Sequence, residues 1–189
     1  MDLWDDLIKS AGYPRWFADY PQAERTAALL RAYETMFVYG LFQTEAYMRE
    51  LLRDPTAIEG RIRRQSVLRR KDPPMISVVV GEAALWTRMG NEEVMREQCE
   101  YLLAVSEWSN VTLQIAPTAY YRGLESSFNL ATQPNGDDLL HIETAIGGVT
   151  SNSPEDILHI VGAFSALQSR ALNVDDSREF LRKAVVRWT

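Results

Sequence analysis

After Pro21, which suits the first position of a helix, apolar residues recur at helical spacing through Ala23, Ala27, Leu30, Tyr33 and Phe37, and Gly40 offers a stop. Thr44 as N-cap, with Ala46, Tyr47 and Leu51 on one stripe, predicts a second, shorter helix. Asp54-Pro55 opens a third. That helix cannot run through Asp72-Pro73-Pro74, because proline has no N–H to give the ladder and its ring clashes with the preceding turn. The N-terminal third therefore reads as helical.

The period then changes. Ile76-Ser77-Val78-Val79-Val80 is short, β-branched and bounded by proline and glycine, which predicts a buried strand. A helical turn follows around Ala83 to Met89. After Gly90 comes a longer helix with Val94, Cys99, Leu102, Leu103 and Trp108 on its apolar stripe, and Val111-Thr112-Leu113-Gln114-Ile115 then alternates as a strand should. Strand, helix, strand in this order implies a crossover with parallel pairing. Asn135-Gly136, between Phe128–Thr132 and Leu139–Glu143, is a preferred two-residue hairpin pair; such a loop would set His141 opposite Leu130 and Glu143 opposite Phe128. Gly147-Gly148 reads as a strand break. Ser153-Pro154-Glu155-Asp156 combines N-cap, N1 proline and first-turn acids, so it starts a helix carrying Ile157, Ile160, Val161, Phe164, Leu167 and Leu172. A last helix, from about Asp175 to Trp188, buries Phe180, Leu181 and Val185, with Trp188 a further candidate for the core.

These elements define an α+β fold: a helical N-terminal third, a small mixed β-sheet with a strand-helix-strand crossover and an Asn-Gly hairpin, and two C-terminal helices. Residues 1–19 form an N-terminal extension and 20–189 a single domain, with no repeat or linker-like composition between them. At 189 residues, 46% apolar, the chain can bury a sizeable core without metals or disulfides, and Cys99 has no second cysteine to pair with. No run of roughly 18 apolar residues offers a membrane span, and the acidic start Met1-Asp2-Leu3-Trp4-Asp5-Asp6 is the opposite of a signal peptide's basic end, so the expected location is the cytoplasm. With 26 acidic against 20 basic residues the net charge is −6, which repels a polyanion such as duplex DNA.

Several groups are candidates for chemistry. His141 and Glu143 share one face of the hairpin, where neighbouring apolar residues would shift a pKa. Tyr120-Tyr121-Arg122-Gly123 follows a strand and combines aromatic rings with one guanidinium, suited to a planar or anionic small molecule. Arg61, Arg63, Arg64, Arg69, Arg70 and Lys71 concentrate positive charge on the third helix; they are candidates for pairing with acids of this fold, a partner or phosphate, against the ordinary alternative of a solvated face. Most of the five tryptophans suit core packing, while Trp16 in Tyr13-Pro14-Arg15-Trp16-Phe17 suits a lid or docking surface. There is no Walker loop, no Gly-x-Gly-x-x-Gly, no Gly-x-Ser-x-Gly and no His-Glu-x-x-His, and two histidines with one cysteine argue against a zinc site. No cofactor is expected.

From Tyr39-Gly40-Leu41-Phe42-Gln43-Thr44-Glu45-Ala46-Tyr47 through Arg61-Ile62-Arg63-Arg64-Gln65-Ser66-Val67-Leu68, the chain resembles the uncharacterised domain found C-terminal to the helix-turn-helix in actinobacterial Xre-type regulators. Gly81-Glu82-Ala83-Ala84-Leu85, Val94-Met95-Arg96-Glu97-Gln98 and Asn110-Val111-Thr112-Leu113-Gln114-Ile115-Ala116-Pro117 continue the likeness in order and spacing. The resemblance implies a role beside DNA-binding regulators, some antitoxin-like and encoded with small partner proteins, in specialised metabolism and development. Only some 20 residues precede the matched region, too few for that family's helix-turn-helix, so the expectation is a free-standing copy that does not bind DNA by itself. The sequence also has Tyr39 and Phe42 where the family commonly has proline and leucine.

Two functional classes follow. In one, the domain is a sensor or binding module for a small molecule or a protein partner, with Arg61, Arg63 and Arg64 as the partner surface and a homodimer left open. In the other, it is a cofactor-independent enzyme of natural-product biosynthesis, a cyclase or isomerase. There His141 and Glu143 would move protons, Arg122 would stabilise an anion, and Tyr39, Phe42, Trp86, Tyr120 and Tyr121 would form the walls.

Overall fold

Leu29 to Glu34, buried along most of its length, forms the strand on which the rest of the molecule is assembled. The computed structural model describes residues 19–144 and 147–189. In chain order its elements are α1 (Asp19–Thr26), β1 (Leu29–Glu34), a 3-10 turn (Gly40–Phe42), α2 (Glu45–Leu52), α3 (Pro55–Arg64), a second 3-10 turn (Gln65–Arg69), β2 (Met75–Gly81), α4 (Glu82–Trp86) and α5 (Glu92–Val105). They continue with β3 (Val111–Ala116), β4 (Phe128–Thr132), β5 (Asp138–Thr144), β6 (Gly147–Ser151), α6 (Pro154–Gln168) and α7 (Val174–Arg187).

The six strands form one mixed sheet in the order β3-β2-β1-β4-β5-β6. β1, β2 and β3 are parallel, each joined to the next by helices, and the β2–β3 crossover is the one that the strand-helix-strand pattern predicts. β4, β5 and β6 continue antiparallel from the other side of β1. The sheet therefore changes from parallel to antiparallel at β1.

Alternation along each strand divides the core into two layers. Leu30, Ala32, Ile76, Val78, Val80, Leu113 and Ile115 face α5 and α7, meeting Met95, Cys99, Leu102, Leu181 and Ala184. Tyr33, Val79, Phe128, Leu130 and Leu140 face α6, where Ile160, Phe164 and Leu167 cover them and Phe128 meets Phe164 edge to face at 5.6 Å. Polar side chains secure the helix starts: Thr44, Asp54, Asn91 and Asn173 each accept a first-turn backbone N–H. Trp188 closes the C-terminal end by donating its indole N–H to the Leu85 carbonyl at 2.9 Å.

Three local expectations are corrected. Leu30 and Tyr33 lie on the central strand, not on a helix running to Gly40. The 3.6-residue spacing there arose from a strand buried on both faces, where apolar residues fall on either parity. The hairpin register is also shifted by one: His141 pairs with Asn129 and Leu130 with Leu140. Pro134 causes the shift. It cannot donate the N–H a two-residue loop would require, but its fixed φ suits the second position of a type I turn. Gly136 N–H donates to the Gln133 carbonyl, Gly136 takes φ +91°, and the Gln133 N–H donates to the Asp137 carbonyl, closing a three-residue loop. Finally, Gly147-Gly148 belongs to β6, which pairs with β5 from Thr144↔Gly147 to Leu140↔Ser151.

Candidate functional site

At the carboxyl end of β1, where the sheet changes direction, a pocket of about 220 Å3 is lined by Glu34, Phe37, Val38, Tyr39, Gly40, Gln43, Leu51, Leu52, Arg61, Arg64, Asn129 and Glu143. Crevices outside strand carboxyl ends, at points where connectivity reverses, are favoured ligand sites in open α/β sheets. Strand parity builds one wall: Glu34 shares its face with Ala32, next to Asn129 on β4 and Glu143 on β5. Helix α3 builds another, since Arg61 and Arg64 lie at helical spacing from the buried Ile58 and turn inward with it.

The segment Gly40-Leu41-Phe42-Gln43-Thr44 bounds the pocket and is held by two glutamines from elsewhere in the chain. Gln98, fully buried on α5, donates to the Phe42 carbonyl at 2.7 Å and accepts the Thr44 N–H at 2.8 Å. Gln65 donates to the carbonyls of Leu41 and Gln43 at 3.1 and 2.8 Å. Gln43 itself donates to the Val38 carbonyl and accepts from Arg61 Nη1, both at 2.7 Å. Phe42 is fully buried behind Tyr39, its ring edge-on at 5.3 Å. These bonds fix the rim before any ligand arrives, the condition for a preformed site.

Electrostatically the pocket is unusual in holding a buried carboxyl. Glu34 is only 6% exposed. Burial raises its pKa from 4.5 to about 8 and Glu143 adds to the rise, while a hydrogen bond with Ser127 and the guanidinium groups of Arg61 and Arg64 oppose it. At neutral pH Glu34 is therefore mainly protonated. Arg64 is held by Glu24 of α1 in a buried two-bond ion pair, both bonds at 2.8 Å. Tyr39 is 1% exposed, burial lifts its pKa well above the ordinary value, and its hydroxyl has no hydrogen-bond partner among the described residues.

The structure brings some predicted residues together and separates others. Tyr39, Arg61, Arg64 and Glu143 line this pocket. His141 shares the Glu143 face but does not line it; fully buried against Tyr20, with ring centroids 5.4 Å apart, it has its pKa lowered by burial and then by Arg64 from 6.5 to about 4. The leucine and phenylalanine expected beside His141 and Glu143 lie on the opposite face of the sheet. Arg122 and Tyr120 line a separate open cleft with His159 and Gly162 of α6. Tyr121 is buried, donates its hydroxyl to the Pro117 carbonyl and carries Arg170 over its ring. Trp86 is partly exposed and packs on Phe180 of α7, Trp108 lies past the end of α5, and Arg63 is solvent-exposed. Trp4, Trp16 and the rest of Tyr13–Phe17 lie outside the described residues.

Glu34, Gln43 and Asn129 are the lining residues with polar side chains that the sequence reading did not single out. A signal for Glu34 was present: a lone carboxylate ending Leu-Leu-Arg-Ala-Tyr-Glu is conspicuous once the segment is read as a buried strand. Among the described residues no helix is long and apolar enough to cross a membrane and no cluster of metal-ligating side chains occurs. No curated protein and no solved structure matches the chain. A family model described as a domain of unknown function, DUF5753, matches residues 17–183, most of the chain, and the protein belongs to that family.

Proposed function

We propose that this chain is a small-molecule-binding regulatory module, related to the sensor domains of Xre-type regulators, whose ligand site is the pocket at the carboxyl end of β1. The observation that carries the reading is a buried carboxyl, Glu34, in a preformed concavity with Tyr39, Gln43, Arg61 and Asn129. A buried carboxyl without full compensation weakens a fold, and such groups concentrate at functional sites. At about 220 Å3 the pocket is smaller than the roughly 300–1,000 Å3 typical of drug-sized ligands, so it suits a metabolite of few atoms. The net charge of −6 favours action through a DNA-binding partner over direct contact with duplex DNA.

Filling the pocket tests this reading. A Cβ at Gly40 would stand 3.8 Å from Arg61 Nε, ordinary contact, so Gly40→Leu extends a side chain toward the pocket without backbone strain. Native mass spectrometry of protein purified from its own cells should show a small-molecule adduct on the wild type and none on the variant. An identical adduct on both would place the ligand elsewhere.

An enzyme of natural-product cyclisation or isomerisation is the second reading, favoured by one observation: a carboxyl with a pKa near 8 is poised for proton transfer at neutral pH. In that case Glu34, with Glu143 and Tyr39, carries the acid–base role. His141 and Arg122 do not line this pocket. Turnover lost in Glu34→Gln and retained in His141→Gln would favour this reading.

A further inference from the structure

The charges around the pocket indicate what kind of molecule it takes. Its lining holds two carboxyls, Glu34 from β1 and Glu143 from β5, and two guanidinium groups, Arg61 and Arg64 from α3. Glu24 on α1 offsets Arg64 through the two-bond ion pair. With both lining carboxyls ionised, the pocket therefore carries one net negative charge; with Glu34 protonated, it is neutral. The positive groups stand on the helix wall and the carboxyls on the sheet wall, so the two signs are segregated. Resting on the reading that this pocket is the ligand site, we propose that it binds a small molecule through a protonated amine lodged against Glu34 and Glu143, and that binding releases the Glu34 proton to solvent.

The exchange balances: the cation enters, the O–H bond of the Glu34 carboxyl breaks, and one proton leaves to buffer. A cation beside the two carboxylates offsets the repulsion that Glu143 exerts on an ionised Glu34, and adds a charge-assisted hydrogen bond. Tyr39, which lines the same pocket, supplies a buried hydroxyl able to accept or donate toward the ligand. The other charged and titratable groups near Glu34 act consistently. Arg61 and Arg64 favour its ionised form. The phenols of Tyr20, Tyr39 and Tyr47 all have pKa values raised by burial and stay neutral through the relevant range. Ser127 hydrogen-bonds the carboxyl.

The test uses the full chain and probes of matched size: putrescine and agmatine as amines, succinate and glutarate as acids, and succinamide as the neutral control. Titration calorimetry in buffers of different ionisation enthalpy reads both affinity and proton release. Amine affinity should rise roughly tenfold per pH unit up to about pH 8 and then level, with close to one proton released at neutral pH. In Glu34→Gln, which keeps the shape of the protonated side chain, the pH slope and the released proton should disappear; a melting curve checks that the variant is folded. Binding of the acids or succinamide with the amines inert overturns the amine assignment and leaves the pocket as ligand site. Amine binding with an unchanged pH slope in Glu34→Gln overturns the proton exchange. Failure of every probe to bind counts against both the assignment and the pocket reading.

Discussion

Replacing Glu34 by glutamine measures how strongly the pocket opposes a buried charge. The unfolded carboxyl titrates near 4.5 and the folded one at about 8, so within that interval the native state holds a proton the unfolded chain has lost. Stability is then fully present below pH 4.5 and falls by roughly 1.4 kcal/mol per pH unit until Glu34 ionises in the fold. Across the whole interval this amounts to roughly 4–5 kcal/mol, a large share of the 5–15 kcal/mol that holds a typical domain together. His141 works in the opposite direction: with its pKa lowered from 6.5 to about 4, it contributes stability above 6.5 that is lost as pH falls toward 4. The two slopes oppose each other below pH 6.5, and the net decline from Glu34 emerges between 6.5 and 8, at roughly 2 kcal/mol. Urea denaturation of wild type and Glu34→Gln across this range is the assay. The variant should match wild type within about 1 kcal/mol near pH 5 and exceed it by several kcal/mol above pH 8. A stability difference that stays constant with pH would refute the assignment of a raised carboxyl to Glu34.

Other consequences are open to direct measurement. Arg64→Ala leaves Glu24 buried without its main countercharge and should cost about 3–5 kcal/mol by chemical denaturation, whereas Arg64→Met combined with Glu24→Gln should cost less than the sum of the single changes. Gln98→Ala removes one donor and one acceptor from the Phe42-Gln43-Thr44 rim and should lower stability by roughly 2–4 kcal/mol while weakening ligand binding, as read by thermal melts with and without ligand. Cys99 is buried and its thiol is pushed up to about 12, so a disulfide-exchange reagent should leave it unmodified in the native protein and label it only on unfolding; rapid native labelling would contradict its burial.

Much of the fold was legible because its signals were local. The caps at Thr44 and Asp54, the proline at the start of α3, the β-branched run of β2 and the alternation of β3 each specify their element without help from the rest of the chain. β1 was not legible for the opposite reason. Its residues are strand-forming only because β2 and β4 flank them, so a long-range arrangement overrides a local period that also fits a helix. The hairpin teaches a narrower lesson: Asn-Gly specifies a turn, but the proline before it decides the register. At the pocket, the arginines of α3 were visible as a charged run, yet a charge count does not show that Arg61 and Arg64 share the face of Ile58 and point inward. Glu34, Asn129 and Glu143 come together only through the sheet, which joins residues from the two ends of the β1–β5 stretch.

Whether the concavity at the carboxyl end of β1 is the binding site is tested most directly by amide NMR, adding the small molecule released from cell-purified protein back to the emptied chain. Shift changes should concentrate at Glu34, Tyr39 to Gln43, Arg61, Asn129 and Glu143. Changes gathered instead around Tyr120, Arg122 and His159, on the other side of the sheet, would contradict the account.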